Sequence, residues 1–276
     1  MAAGLIGALA TRAAAHAPLV KLLGGVTVVH ASANWGMSIG AARLIAFLAL
    51  HPGAHDRHYI AGTLWPDTPE SRAAGNLRSA LWRLNALPVS LVDADRCWVS
   101  LQSHVLVDVR LLSDWAARVI SGDRTSDDFT HTAWDVACVD LLPGWPDDWL
   151  VLERERIRQR LLHGLECMAR ELIRLGRSAE AVEVALVAVN ADVLRESAQR
   201  ILIQAHLAEG NRSEAQRCYL EHRELIAREL GVTPSDRLTA LVAPADIGAR
   251  RSPTDRRGRF RPSRTGQGPG PRRSRG

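Results

Sequence analysis

Polar side chains recur at helical spacing within residues 70–84 (ESRAAGNLRSALWRL). At about 100° per residue, one face of the helix predicted for this segment carries four of them: Arg72, Asn76, Ser79 and Arg83. Arginine makes bidentate hydrogen bonds to guanine in the major groove of DNA, and asparagine makes them to adenine. The face is therefore suited to reading base edges, although a merely solvated helix face has the same polar pattern.

The other side of this helix is apolar. It carries four residues at the spacing of a buried helix face: Ala73, Leu77, Leu81 and Leu84. Trp82 lies near the exposed side and is a candidate contact between domains.

The sequence lacks the motifs of the common catalytic and metal sites. A phosphate-binding loop requires G-x-x-x-x-G-K-[ST], but the single lysine, Lys21, is followed by leucine. Neither G-x-S-x-G nor H-E-x-x-H occurs. His55 and His58 have a spacing that suits a metal, but no third ligand can be assigned to them. We therefore expect no enzyme activity, no cofactor and no metal.

The elements that position the polar helix begin upstream of it. Val20–His30 (VKLLGGVTVVH) predicts a strand pair around two glycines, and a loop follows through Gly36. Two helices are predicted next, Ala41–Leu50 and Arg57–Leu64. Asp56 immediately precedes the second of them and is of a residue type that caps helix N-termini.

A hairpin is predicted downstream. Val89–Val92 and Trp98–Leu101 are candidate strands, with Arg96 near the turn between them, and a strand at Val105–Val109 leads into a helix. Strands, three helices and a hairpin in this order are typical of a winged helix-turn-helix. The sequence therefore predicts an N-terminal α/β winged helix over residues 19–112.

The second half of the chain has a helical pattern with an internal repeat. Gly176-Arg-Ser-Ala-Glu-Ala181 is echoed by Gly210-Asn-Arg-Ser-Glu-Ala215, and the two glycines are 34 residues apart. This is the period of tetratricopeptide (TPR) helix pairs, in which glycine occupies the turn. The sequence predicts an all-α, TPR-like domain over residues 113–243, in which the helix Leu150–Leu175 contributes to the first pair.

Charge is unevenly distributed along the chain. Residues 20–112 contain eight basic and six acidic side chains, a net charge of +2, whereas residues 113–249 contain 16 and 23, a net charge of −7. Residues 250–276 contain ten arginines and one aspartate, +9. We expect disorder in the Arg-rich tail, 244–276, and in an Ala-rich extension, 1–18. The high isoelectric point is mostly a property of the tail.

The four cysteines are widely separated and form no C-x-x-C pair, which is typical of reduced thiols. No apolar run reaches the roughly 18 residues of a membrane-spanning helix. We therefore expect a cytoplasmic protein that does not associate with membranes.

Two sets of segments resemble a known family. Arg43–Asp67 and Arg72–Leu84 resemble the winged helix of the SARP-type activators, the antibiotic-regulatory proteins of actinobacteria, which is of the OmpR type. Leu141–Leu162, Asp192–Gly210 and Glu229–Ser235 (ELGVTPS) resemble the bacterial transcriptional activator domain (BTAD) that follows it. The resemblance covers about residues 19–242.

The resemblance implies a transcriptional activator that binds double-stranded DNA at repeated sites and assists RNA polymerase at secondary-metabolite genes. A homodimer on those sites and a weakly binding monomer both stay open. Helix 70–87 would be the recognition helix in the major groove, with Arg72, Asn76, Ser79 and Arg83 facing the bases. Arg78, on its flank, would contact phosphate. Arg96, at the hairpin tip, would be the contact of the wing.

A second hypothesis remains open, in which the chain is a protein-interaction scaffold with a winged helix that no longer reads DNA. Three features favour it: the low net charge of residues 20–112, the end of the third helix at Leu87-Pro88, and Asn85, where the family usually has a basic residue.

Overall fold

A computed structural model describes residues 10, 17–31, 33–123, 125, 128 and 141–243. The predicted disorder of residues 1–18 and 244–276 falls almost entirely outside these ranges. Cys138 also lies outside them, and the other three cysteines are free thiols.

A four-stranded sheet opens the described fold. Its strands are β1 (Leu19–Lys21), β2 (Thr27–His30), β3 (Ala33–Trp35) and β7 (Leu106–Val107), in the order β3-β2-β1-β7. The antiparallel β1–β2 pair confirms the predicted strand pair. The predicted loop through Gly36 is wrong at β3, because pairing with β2 holds these three residues extended.

Three helices follow, α1 (Ile39–Leu50), α2 (Arg57–Leu64) and α3 (Glu70–Asn85). The Asp56 carboxylate caps α2 as predicted, since it accepts hydrogen bonds from the backbone N–H groups of His58 and Tyr59, at 2.8 and 3.1 Å. The predicted apolar side of α3 is buried together with Ala80, and α3 packs against α1 and α2. Packing on one side fixes which side of α3 faces outward.

The predicted hairpin forms from β5 (Val92–Ala94) and β6 (Trp98–Leu101), so its first strand begins three residues later than expected. An unpredicted strand, β4 (His55–Asp56), pairs with β6 and completes a three-stranded sheet of order β4-β6-β5. Two residues are too few for a recognisable sequence pattern. The pairing attaches the hairpin to the start of α2.

The remaining helices are α4 (Asp108–Ser121), α5 (Trp149–Arg174), α6 (Ser178–Ala191), α7 (Glu196–Glu209), α8 (Arg212–Leu230) and α9 (Asp236–Val242). Helices α5 to α8 pack successively, and α5 also contacts α7. Gly176 and Gly210 end α5 and α7 with φ angles of +76° and +87°, a conformation that favours glycine. Ala181 and Ala215 are fully buried at the helix contacts. The predicted TPR-like arrangement is confirmed.

One hydrophobic core runs from the N-terminal sheet into the helical repeats. The described residues up to Val242 form one compact unit, and α4, which contains position 112, packs against both β1 and α5. None of the described helices is long and apolar enough to cross a membrane.

Candidate nucleic-acid interface

Helix α3 presents an outward face with three lines of residues. Because successive residues turn by about 100°, Gly75, Ser79 and Trp82 lie opposite the buried side. Arg72, Asn76 and Arg83 occupy one flank, and Arg78 occupies the other. Arg72, Arg78, Ser79 and Arg83 are exposed, and Trp82 retains 72% of its accessible surface.

Asn76 differs from the other predicted contacts because it is half-buried. Together with Ser79 and Arg83, it lines a shallow depression of about 270 Å³. The opposite wall is the segment before and at the start of α1, from Ser38 to Ala41. Periodicity placed Asn76 on the polar face, but the approach of α1 is a tertiary effect that periodicity does not report.

Two polar groups on the outward face contact the helix itself. The Ser79 hydroxyl donates to the Gly75 carbonyl oxygen at 3.1 Å, which leaves its lone pairs free to accept. The Arg78 guanidinium extends over Gly75, 3.7 Å from where a β-carbon would stand. Gly75 therefore keeps the middle of the face flat.

The hairpin tip is held by hydrogen bonds that the sequence did not reveal. The Asp95 carboxylate accepts from the backbone N–H groups of Cys97 and Trp98, both at 2.7 Å. These bonds, that of Trp98 above all, lower the pKa of Asp95. The Arg57 guanidinium donates to the Asp95 carbonyl oxygen and ties the tip to α2. Arg96 is thereby presented on an ordered, exposed turn.

The role of Asp95 in this turn could have been predicted from the local sequence, but it was missed. An aspartate two residues before a backbone N–H commonly forms this kind of turn. Arg57 carried no such signal, because its partner lies 38 residues away.

The histidines near α2 have partners other than a metal. His55 Nε2 lies 2.9 Å from the His51 carbonyl oxygen, and His58 Nδ1 lies 3.2 Å from a Glu70 carboxylate oxygen. Within the described ranges, no group of three or more metal-binding side chains comes together.

The buried Asp108 holds the β1–β2 turn against α4. Its carboxylate accepts from the backbone N–H groups of Leu22, Leu23 and Val109, at 2.9, 3.0 and 2.7 Å. Burial raises the pKa of Asp108, and the three N–H groups oppose that effect. The conformation of the turn thus depends on a residue 85 positions downstream.

The same turn binds the segment that precedes α5. The Leu142 N–H donates to the Leu22 carbonyl oxygen at 3.1 Å. The Arg154 guanidinium, on α5, donates to the carbonyl oxygens of Leu141, Leu142 and Trp145. Arg43 of α1 forms an ion pair with Asp147 in the same segment. We call residues 141–147 with these contacts the joint.

Comparisons with known proteins agree with this architecture. Residues 134–244 match the family model "Bacterial transcriptional activator domain". Two curated relatives, both named regulatory protein AfsR, come from Streptomyces griseus and Streptomyces coelicolor. They are 28% identical over 213 residues and 29% identical over 210 residues. Each match covers 72% of this chain and 21% of the relative, so the chain spans about a fifth of the length of these relatives.

A solved structure shares the fold. Mycobacterium tuberculosis EmbR, in complex with a low-affinity phosphopeptide, superposes with a TM-score of 0.60 at 17% identity. The match covers 82% of this chain and 64% of EmbR.

The fold is a winged helix joined to a TPR-like helical domain, and EmbR shares it. Residues 134–244 match the model of the bacterial transcriptional activator domain, which covers less than half of the chain. With the AfsR relatives, this domain confirms the resemblance to the SARP-type activators that the sequence motifs indicate. Both AfsR relatives are named as regulatory proteins.

Proposed function

We propose that this chain is a sequence-specific DNA-binding transcriptional activator that inserts α3 into the major groove. The observation that carries the proposal concerns the ion pairing of three exposed arginines on α3: Arg72, Arg78 and Arg83. Among the residues that the structure describes, no carboxylate forms an ion pair with any of them. Guanidinium groups without intramolecular partners are available to phosphates and guanines.

The roles follow from position on the helix. Asn76 and Arg83, side by side at the depression, discriminate bases, and Arg72 and Ser79 extend this reading surface. Each good bidentate base contact supplies about 1–3 kcal/mol of discrimination. Arg78, on the opposite flank, and Arg96, at the hairpin tip, contact phosphate or the minor groove and set the register.

The helical domain supplies the protein contacts in this proposal. Its acidic charge disfavours contact with DNA and leaves its surface to a second copy of the chain and to RNA polymerase. Two copies would bind repeated sites upstream of secondary-metabolite genes in the cytoplasm. The AfsR relatives support regulation in general. The promoters, the polymerase contact and the dimer are parts of the proposal.

The test is fluorescence anisotropy of the full chain on labelled DNA taken from upstream of its own and neighbouring genes. Excess competitor DNA and a salt series separate specific from electrostatic binding, a separation made necessary by the Arg-rich tail. Arg83→Ala should abolish the preference for one fragment. The matched control is Arg212→Ala, which removes an exposed arginine from the first turn of α8 and should change nothing.

Arg78→Ala should weaken binding to all sequences about equally and reduce the slope of log affinity against log salt by about 1. Binding that competitor eliminates, or that is the same in the Arg83→Ala protein, would contradict the proposal. It would favour the scaffold hypothesis, for which partners of the helical domain would then be sought.

A further inference from the structure

Trp82 is a large apolar side chain at the most exposed position of α3. Its indole keeps 72% of its accessible surface although the helical domain is part of the same compact unit. The structure therefore does not place it in the contact between domains that the sequence suggested. Leaving an indole in water forgoes burial that most tryptophans achieve.

The surroundings of Trp82 determine what kind of partner suits it. Gly75 and Ser79 are on the same outward line, and their small size lets a partner approach the helix closely. Arg78 and Arg83 lie on either side of that line and are exposed. Tryptophan and arginine are both enriched in protein–protein interfaces. Here, however, the aromatic group lies on the helix that the proposed function inserts into DNA, and a lone indole between two guanidiniums suits a polyanion with a local apolar feature.

The major groove of DNA has one such feature. Thymine is the only standard base that presents a methyl group there, at C5, while the other groups on the groove floor are hydrogen-bond donors or acceptors. An indole cannot satisfy those acceptors from its carbon edge, but it can pack against the methyl group. A residue on the outward line also reaches deeper into the groove than residues on the flanks.

We propose that Trp82 is a specificity-determining residue that packs against a thymine C5-methyl group and so favours thymine at one fixed position of each half-site. The proposal rests on the proposed function, because it needs α3 in the groove. It adds apolar discrimination to the hydrogen-bonding contacts of Asn76 and Arg83.

The experiment begins with a duplex that the full chain selects from a randomised DNA pool. Each thymine of that duplex is then replaced in turn by deoxyuridine, which removes only the methyl group. At one position per half-site the affinity should fall about fourfold, the value of one buried methyl-sized group. At the other thymines the affinity should be unchanged.

The same series is repeated with the Trp82→Ala protein. This variant should bind the thymine duplex about tenfold more weakly, as expected for an aromatic residue at the centre of an interface. It should no longer distinguish thymine from uracil at the sensitive position. Trp82→Phe, which keeps an apolar ring, should retain part of the distinction.

Leu152→Ala is the matched control, because Leu152 is 80% exposed on α5, away from α3. It should leave both the affinity and the thymine preference unchanged. The melting temperatures of the variants should equal that of the unmodified protein, since neither side chain is buried.

Three results overturn the proposal, and they separate its failure from that of the proposed function. If the pool yields a specific duplex whose binding depends on Arg83, but uracil is tolerated everywhere, the methyl contact is wrong and the proposed function stands. The same conclusion follows if the uracil penalty persists in the Trp82→Ala protein. If no sequence is selected, both proposals fail together.

Discussion

Arginines in the helical repeats and arginines on α3 lie in opposite electrostatic surroundings. Across residues 149–230, seven arginines pair with carboxylates of the chain: Arg156–Glu153, Arg158–Asp192, Arg174–Glu171, Arg177–Glu180, Arg195–Glu166, Arg217–Glu214 and Arg228–Glu229. Arg72, Arg78 and Arg83 have no such pair among the described residues. Ion pairs with carboxylates thus hold many of the arginines in the helical repeats, whereas the three on α3 stay available to a partner.

A pair of helical glycines shows the same contrast. A β-carbon on Gly164, in α5, would stand 3.0 Å from the β-carbon of Ala116 and 3.1 Å from the ring of Trp115. A β-carbon on Gly75, in α3, would meet only the end of the Arg78 side chain, at 3.7 Å. One glycine is required by packing against α4, and the other is not required by anything within the described fold.

Breaking a buried ion pair should have the largest effect on the free energy of unfolding. Glu166→Ala removes the partner of Arg195, at 2.6 Å, and of the Ser197 hydroxyl, also at 2.6 Å. Since the Glu166 and Arg195 side chains are only 7% and 14% exposed, we expect the free energy of unfolding to fall by about 3 kcal/mol. Urea denaturation measures this.

Glu155→Ala, which breaks an exposed pair with Arg158, is the control and should destabilise the protein much less than Glu166→Ala does. DNA affinity of the folded Glu166→Ala protein should be unchanged. If that affinity fell as far as in the Arg83→Ala protein, the distinction between arginines that stabilise the fold and arginines that contact a partner would be wrong.

Gly164→Ala should have the second-largest effect on stability. The added methyl group must displace Ala116 or the Trp115 ring, which are fully buried, and overpacking of this kind costs about 1–3 kcal/mol. Thermal unfolding should show a lower melting temperature. An unchanged or higher melting temperature would mean that α4 and α5 are not packed as closely as described.

Gly75→Ala should change the stability of the fold less than Gly164→Ala does, and in the opposite direction. Replacing glycine by alanine inside a helix stabilises it by about 0.5–1 kcal/mol, and the contact with Arg78 is an ordinary one. DNA affinity should nevertheless fall, because the methyl group projects from the outward face. Parallel thermal and anisotropy measurements test this, and a stabilised variant with full affinity would remove Gly75 from the interface.

The smallest effect is expected at the hairpin tip. Because hydrogen bonds lower the folded-state pKa of Asp95 below its ordinary value of 3.8, the carboxylate should hold the turn at and above that pH. The turn should be lost only as the pH falls through the lower folded-state pKa. NMR chemical shifts of the Cys97 and Trp98 amides report this directly.

Asp95→Ala should shift those amides at neutral pH and weaken DNA binding less than Arg83→Ala does. Asp95→Asn keeps an acceptor oxygen and should preserve the turn. Loss of the turn in both variants alike would show that the charge is needed as well as the acceptor.

Sequence predicted those features of the fold that depend on local pattern. The buried side of α3, the Asp56 cap and the 34-residue repeat all follow from periodicity or residue type, and each is confirmed. Strands β3 and β4 were missed because they contain three and two residues. Such short segments become extended only through pairing with β2 and β6.

The candidate site was predictable to a similar extent. Five of the six predicted contacts are exposed where the helical and hairpin patterns put them: Arg72, Arg78, Ser79, Arg83 and Arg96. Neither the partial burial of Asn76 nor the contribution of Arg57 was visible, because both depend on contacts between distant segments. The DNA contacts themselves and the domain boundaries stay predictions.

The joint has a consequence for how two copies would be arranged. Leu142, Arg154 and Arg43 attach the start of the helical domain to the sheet and to α1, so the winged helix does not swivel freely beneath it. If α3 docks in the major groove as proposed, the direction in which each helical domain projects is set by the face of the double helix that its α3 occupies. Inserting half a helical turn, about five base pairs, between two half-sites would send the two helical domains to opposite sides of the DNA. Inserting a full turn would bring them back to the same side.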